Sequence, residues 1–236
     1  MTSVDGRLHQ LADRHALDAA AVDALRRLLA LIDAEAGAPT AVRDPAVAVD
    51  VHVADALVAL EIERVRDARR IADLGSGAGF PGLVLAVALP AARVALVEVN
   101  RRRAAFLERA AVELRLENVE VVPERAEAWP RGIGTCDVVT ARAVAPLSVL
   151  VEYAAPLLVI DGMLVAWKGR RDAAEEADGV AAAALTGLEL AEVRPVRPWA
   201  GAEHLHLHLY VKVASTPNRF PRRPGMASKR PLQASG

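Results

Sequence analysis

Three glycines at alternate positions, Gly75, Gly77 and Gly79, follow the short apolar run Ile71–Leu74 and precede a second apolar stretch that opens with Pro81 and Gly82. Glycine has no Cβ and accepts positive φ, so such a backbone turns sharply and can lie against a ligand. The pattern predicts strand, turn and helix, with Pro81 at the first helical position. In an open α/β sheet that turn is the usual seat of a nucleotide-like ligand. A dinucleotide fingerprint wants glycine or alanine at its sixth position, for close helix–strand packing; here that position is Phe80. Asp73, on the strand side, would repel a pyrophosphate but could accept hydrogen bonds from a cationic amino acid group. These residues favour S-adenosylmethionine (AdoMet), which carries a sulfonium and an amino group and no phosphate, over a nicotinamide dinucleotide. The plainer alternative is a tight turn without a ligand.

Further along, Glu98 ends the second predicted strand, 23 residues after Gly75. An acid there takes ribose hydroxyls in nucleotide-binding α/β folds; the alternative is an acid capping the next helix. Ala126 and Glu127, after the third strand, could frame an adenine with a backbone N–H and a side-chain acceptor. Arg142 follows the fourth strand, where it could hold a phosphate, a carboxylate or a guanine edge, or else form a structural ion pair. Lys168 follows the fifth strand at the same rim and would attract an anionic substrate. His52 and Asp55 lie three apart on a predicted helix and share a face, as a surface or cap interaction or as a substrate-facing pair. His206 and His208 alternate on a late strand with no carboxylate or cysteine partner in sequence, and are expected to face solvent. Cys136 is the single cysteine. It excludes an internal disulfide and offers no metal-ligand spacing, so no metal is expected and an intracellular setting is.

The elements that must position these groups alternate strand and helix from Arg70 onward, which predicts a parallel sheet of βαβ units. Expected strands are 70–74, 93–98, 119–122, 137–140, 162–167, 188–196 and 205–213, with helices over 100–116, 146–157 and 172–185 between them. In the last strand Leu205, Leu207, Leu209, Val211 and Val213 alternate with polar residues, as suits an antiparallel strand with one wet face. Upstream, residues 5–36 carry leucines and valines at helical spacing up to Gly37 and Pro39. Thr40–Asp44 is a loop, and a helix capped by Asp44 starts at Pro45. Three parts are expected: a helical cap over 1–66, an α/β core over 67–214 and a tail over 215–236.

Length and charge bound the rest. The 236 residues are 53% hydrophobic and only 3% aromatic, enough for one full α/β domain with an appendage. No apolar run is long enough to span a bilayer, and no charged-then-apolar leader follows Met1. The net charge of −1 conceals a basic tail: from Ser215 onward there are five cations and no acid, leaving −6 for the rest. With Pro217, Pro221, Pro224 and Pro231, the tail is expected to lack regular structure. Its removal is expected to weaken binding of a polyanion and to leave AdoMet affinity intact.

Several stretches together resemble one family. They are AVRDP (Ala41–Pro45), His52 with Asp55, DLGSGAGFPGLVLA (Asp73–Ala86), RRRAAFL (Arg101–Leu107), LENVEVV (Leu116–Val122), RAE (Arg125–Glu127), ARA (Ala141–Ala143) and WKG (Trp167–Gly169). With the tail TPNRFPRRPG (Thr216–Gly225), they resemble the bacterial 16S ribosomal RNA guanine-N7 methyltransferases, the RsmG or GidB family. The resemblance implies a Rossmann-like, AdoMet-dependent methyltransferase fold with a seven-stranded, mostly parallel sheet, one antiparallel strand and an N-terminal helical cap. It implies AdoMet contacts at Gly75, Phe80, Ala126, Glu127 and Arg142, to which the residues themselves add Gly77 and Glu98. It also implies 16S rRNA or a small-subunit precursor as substrate, with no membrane involved, a cytoplasmic setting and a monomer. Arg142 is then expected to position guanine or cofactor, with no general base needed. Lys168, Arg219, Arg222 and Arg223 are expected to bind RNA phosphates. The chain departs from the family's habit at Ala38-Pro39-Thr40, where Asn-Leu-Thr is common, and at Val51, where an arginine often precedes the histidine.

Overall fold

The computed structural model describes residues 3–35, 42 and 44–234. The first helical segment is two helices, not one. α1 (Val4–His15) ends at Ala16 in the left-handed region, and α2 (Ala19–Ala34) restarts with Asp18 accepting a hydrogen bond from the Ala21 N–H at 2.8 Å. An Asp N-cap satisfies N–H groups that a continuous helix would have to hand to a carbonyl. The predicted stop at Gly37 and Pro39, and the loop at Thr40, lie outside the described residues.

Asp44 caps α3 (Pro45–Ala48) as expected. The chain then winds wide in a π-helical segment, Val49–Ala54, before α4 (Asp55–Leu57), a 3₁₀ turn Val58–Glu61 and α5 (Glu63–Arg66). Wide turns of this kind gather at functional sites, and this one carries His52.

β1 (Arg70–Leu74) leads through the glycine turn to α6 (Gly82–Ala88), then β2 (Arg93–Val97), α7 (Arg101–Glu113) and β3 (Val119–Val122). Pro81 occupies the N-cap of α6 instead of its first helical position. Asn118 ends the α7 connection by donating its side-chain amide to the carbonyls of Ala86, Leu89 and Ala92. β4 (Cys136–Arg142), α8 (Leu147–Ala154), β5 (Leu158–Lys168), α9 (Ala173–Thr186), β6 (Leu188–Val196) and β7 (Leu205–Lys212) complete the body. A last short helix, α10 (Met226–Lys229), lies in the tail, which is therefore not devoid of regular structure.

The sheet order is β3-β2-β1-β4-β5-β7-β6, parallel except where β7 runs against both β5 and β6. The order reverses between β1 and β4, and the carboxyl ends there are where such sheets bind ligands. One apolar layer joins α1, α2 and the cap to α6, α7 and one sheet face; the other lies under α8 and α9. Residues of α8 and α9 and of the turn after α8 cover most of the polar face of β7, leaving His206 half-buried. His208, Tyr210 and Lys212 are buried, contrary to the wet face expected for that strand. His208 Nε2 meets Glu176 Oε1 at 3.1 Å, and burial lowers its pKa. Among the described residues no helix is long and apolar enough to cross a membrane.

Candidate active site

The glycine turn is built by its own geometry. Gly75, Gly77 and Gly79 have φ of 65°, 57° and 96°, a region in which side chains are strained. A Cβ on Gly75 would sit 2.7 Å from Val144, whereas one on Gly77 would meet nothing nearer than the Gly75 carbonyl at 3.7 Å among the described residues. Backbone at Gly77 thus borders open space.

Asp73 does not face that space. It is fully buried, with Oδ1 accepting from the Thr140 hydroxyl at 2.8 Å and Oδ2 from the Gly82 N–H at 3.2 Å. Burial pushes its pKa up to about 6. The expected contact with a ligand's ammonium is corrected: Asp73 ties β1 to β4 and to the start of α6.

Glu98 is held by backbone on two sides. Its Oε2 accepts from the Gly77 N–H at 3.0 Å and its Oε1 from the Asn100 N–H at 2.8 Å. The N-cap of α7 is Asn100 itself, which accepts from Arg102 and Arg103. The Glu98 carboxylate thereby fixes the turn and the start of α7 together.

Beside it opens a cavity of about 220 Å³, walled by Leu74, Val97, Val99 and Val144 and edged by Gly75, Glu98, Glu124, Arg125, Ala126 and Glu127. The structure brings Gly75, Glu98, Ala126 and Glu127 together there, while Gly77, Phe80 and Arg142 stand outside its lining. Three carboxylates against one guanidinium suit a cationic, phosphate-free ligand and oppose a pyrophosphate. Ala145, Tyr153 and Ser228 complete the lining, and the sequence reading missed all three. The signal for Tyr153 was present, since Glu152-Tyr153 interrupts the helix LSVLVEYA, whose other residues apart from Ser148 are apolar.

A second cluster lies between β4 and the cap. Arg142 Nη1 donates to Asp55 Oδ2 at 2.8 Å and to the Val51 carbonyl at 3.0 Å, and Nη2 lies 3.5 Å from His52 Nδ1. The His52 and Phe80 rings stack at 4.6 Å, 13° from parallel, with the Arg142 guanidinium 5.4 Å from the Phe80 centroid. Trp167 Nε1 donates to the Asp55 carbonyl at 2.9 Å. Burial, then the neighbouring Arg142 charge, lowers the His52 pKa to about 4, so the ring is neutral near pH 7. Burial raises the Asp55 pKa against the pull of Arg142. Asp55 Oδ1 is buried and finds no hydrogen-bond partner among the described residues.

Two of the predicted phosphate binders are engaged elsewhere. Lys168 Nζ donates to the Ala145 carbonyl at 2.9 Å and to Glu175. Arg222 Nε donates to Glu152 Oε1 at 2.7 Å, with Nη2 on the second oxygen. Neither is presented as a free cation. Arg219 and Arg223 are exposed, Arg219 resting 5.1 Å from the Phe220 ring centroid.

A family model described as GidB, rRNA small subunit methyltransferase G, matches residues 21–199. The chain belongs to this family. Three relatives named Ribosomal RNA small subunit methyltransferase G illustrate the match. The Rubrobacter xylanophilus protein is 39% identical over 95% of this chain and 92% of its own. Its counterpart from Chloroflexus aggregans is 42% identical over 82% of each. That from Roseiflexus castenholzii is 44% identical over 69% of this chain and 70% of its own. Among solved structures, a SAM-dependent methyltransferase from Aquifex aeolicus aligns with a TM-score of 0.56 at 17% identity, covering 72% of this chain and 94% of that one. A SAM-dependent O-methyltransferase from Thermotoga maritima gives 0.53 at 18% identity, covering 69% and 66%. These two speak for the fold, which is the Rossmann-like methyltransferase fold. As a member of the GidB family the chain is a methyltransferase that uses AdoMet, and the acid-edged cavity suits that donor's charge.

Proposed function

We propose that this protein transfers a methyl group from AdoMet to N7 of a guanine in a loop of 16S rRNA, in the cytoplasm and as a monomer. The observation that carries the reading is the acid-edged cavity at the carboxyl ends of β1, β2 and β3, in a chain of the GidB family. When bound, AdoMet would supply an electrophilic methyl that passes to the in-plane lone pair of guanine N7 as its S–CH3 bond breaks, the thioether leaving and no proton having to be removed first. The residues are therefore asked for placement and exclusion of water, catalysis by proximity. Glu98 holds the turn and offers its remaining lone pairs to the ribose. Ala126 and Glu127 frame the adenine. Arg142 is fixed by Asp55 and the Val51 carbonyl, and it reads the guanine O6 edge. His52, neutral and a poor base, takes no proton and serves as a ring against Phe80.

N7 lies in the deep, narrow groove of A-form RNA, so the target base is unpaired or in a loop. Arg219 and Arg223, the exposed tail cations, are assigned to phosphates. The proposed division of labour is a cap over 1–66 that shapes the guanine side, a core over 67–214 that holds the cofactor, and the tail over 215–236. Labelled AdoMet incubated with unmethylated small-subunit particles and with naked 16S RNA tests the assignment. Label recovered as 7-methylguanosine at one loop position is the expected result. Label on another atom, or on neither RNA, refutes it.

A further inference from the structure

The chain beyond β7 was expected to be an arm for RNA, but its contacts point inward. Phe220 and Ala227 are buried, Ala227 within the apolar layer under α8 and α9. Arg222 pairs with both oxygens of Glu152, a carboxylate only 1% exposed, and also donates to the Arg230 carbonyl at 2.9 Å, closing the segment on itself. Two further bonds reach the wall of the cofactor cavity. The Gly225 N–H donates to Glu127 Oε1 at 2.8 Å, and the Tyr153 hydroxyl lies 2.9 Å from Ser228 Oγ. Ser228 itself lines the cavity with Gly75, Glu98, Ala126 and Glu127.

We propose that Phe220–Arg230 is a strap forming the outer wall of the AdoMet site, with Gly225 orienting Glu127 and Ser228 closing the cavity through Tyr153. The inference rests on that cavity being the AdoMet site. The strap lies beyond residues 21–199, the stretch that the family model matches. A carboxylate accepting a backbone N–H is a charge-assisted bond, so docking the strap aims Glu127. Because linkage is reciprocal, AdoMet must in turn favour the docked strap. This replaces the expectation that the tail is irrelevant to AdoMet affinity.

Removing the whole tail is a poor test, because it also strips the counter-ion from buried Glu152. Gly225→Pro in the full chain is better. Gly225 has φ 81°, which proline cannot adopt, and proline lacks the donor N–H. Among the described residues nothing lies within 4 Å of a Cβ there, so the change acts on the backbone alone. Calorimetry with AdoMet is expected to show roughly tenfold weaker binding by Gly225→Pro. A second measurement needs no variant: limited trypsin digestion of the natural chain, where AdoMet is expected to slow cleavage after Arg222 and Lys229 by a similar factor. Equal or tighter AdoMet binding by Gly225→Pro overturns the strap, as does cleavage indifferent to AdoMet. If the natural chain itself fails to bind AdoMet, the cofactor reading falls first and the strap with it. That failure is distinct from a natural chain that binds and a variant that binds as well.

Discussion

Two carboxylates flank the start of this sheet and are used in opposite ways. Glu98 is held by backbone N–H groups at both oxygens and borders an open cavity. Asp55 is held by the guanidinium of Arg142, and its cluster is filled by its own rings, His52 against Phe80. Glu98 draws on partners 2 and 21 residues away, whereas Arg142 draws on partners 87 to 91 residues away. The difference separates what each side needs. The Glu98 edge of the proposed cofactor side is a local device, prepared by one turn. The proposed guanine side is a docking of the cap onto β4, and its two charges must be kept or removed together.

The largest expected effect breaks the cap side alone. Arg142→Ala leaves Asp55 as a buried, unpaired carboxylate, at a cost of about 3–5 kcal/mol, read as a drop in the urea midpoint. AdoMet affinity, measured on protein that remains folded, should change little. The double change Asp55→Asn with Arg142→Gln should recover much of the stability while methyl transfer stays lost. If the double variant is no more stable than Arg142→Ala, the ion pair is not what holds the cap.

On the other side, Gly75→Val imposes a branched side chain at φ 65° against Val144. Strain of about 1–3 kcal/mol and loss of detectable AdoMet binding are expected together. Glu98→Gln is milder. It should weaken AdoMet by roughly ten- to a hundredfold, the loss of one or two charge-assisted bonds, with a smaller fall in melting temperature than Arg142→Ala. Equal losses of stability from Glu98→Gln and Arg142→Ala would erase the contrast between the two sides.

Acidity sharpens it further. The folded His52 pKa of about 4 lies below its unfolded value of 6.5. The unfolded chain therefore gains a proton that the folded chain refuses as pH falls from 6.5 to 4, and stability is lost across that window. Asp73 runs the other way. Its folded value of about 6 exceeds 3.8, so its neutral form favours the fold at low pH and that help is lost as pH rises to 6. In His52→Phe, which keeps a ring beside Phe80, the deficit relative to the natural chain should shrink as pH falls from 6.5 to 4. A deficit constant with pH would remove the titration argument. The smallest effect is at the tail: Arg219→Gln with Arg223→Gln should flatten the salt dependence of RNA binding by about 1.4 in log–log slope.

Much of the cofactor side was legible because its information is local. The boundaries of β1, β3 and β6, the glycine turn and the cap Asp44 follow from neighbours in sequence. What sequence spacing could not supply was pairing across the fold. Lys168 was free on paper until α9 placed Glu175 against it. His208 was a wet residue until α9 covered its face of β7 and placed Glu176 against it. Asp73 was a ligand contact until Thr140 and Gly82 claimed both its oxygens. In each case a polar group with no neighbour in sequence found one through the topology. Glu152, a lone acid in an apolar helix, was the clue that a distant cation would come to meet it.

That acid has a consequence for shortened versions of this protein. An allele that stops translation after Lys212 and before Arg222 would synthesise every strand and every cavity residue except Ser228, yet leave one negative charge stranded in the hydrophobic interior. Such products should be degraded by cellular quality control more often than they persist as crippled enzymes, so a late nonsense mutation would resemble a deletion of the gene.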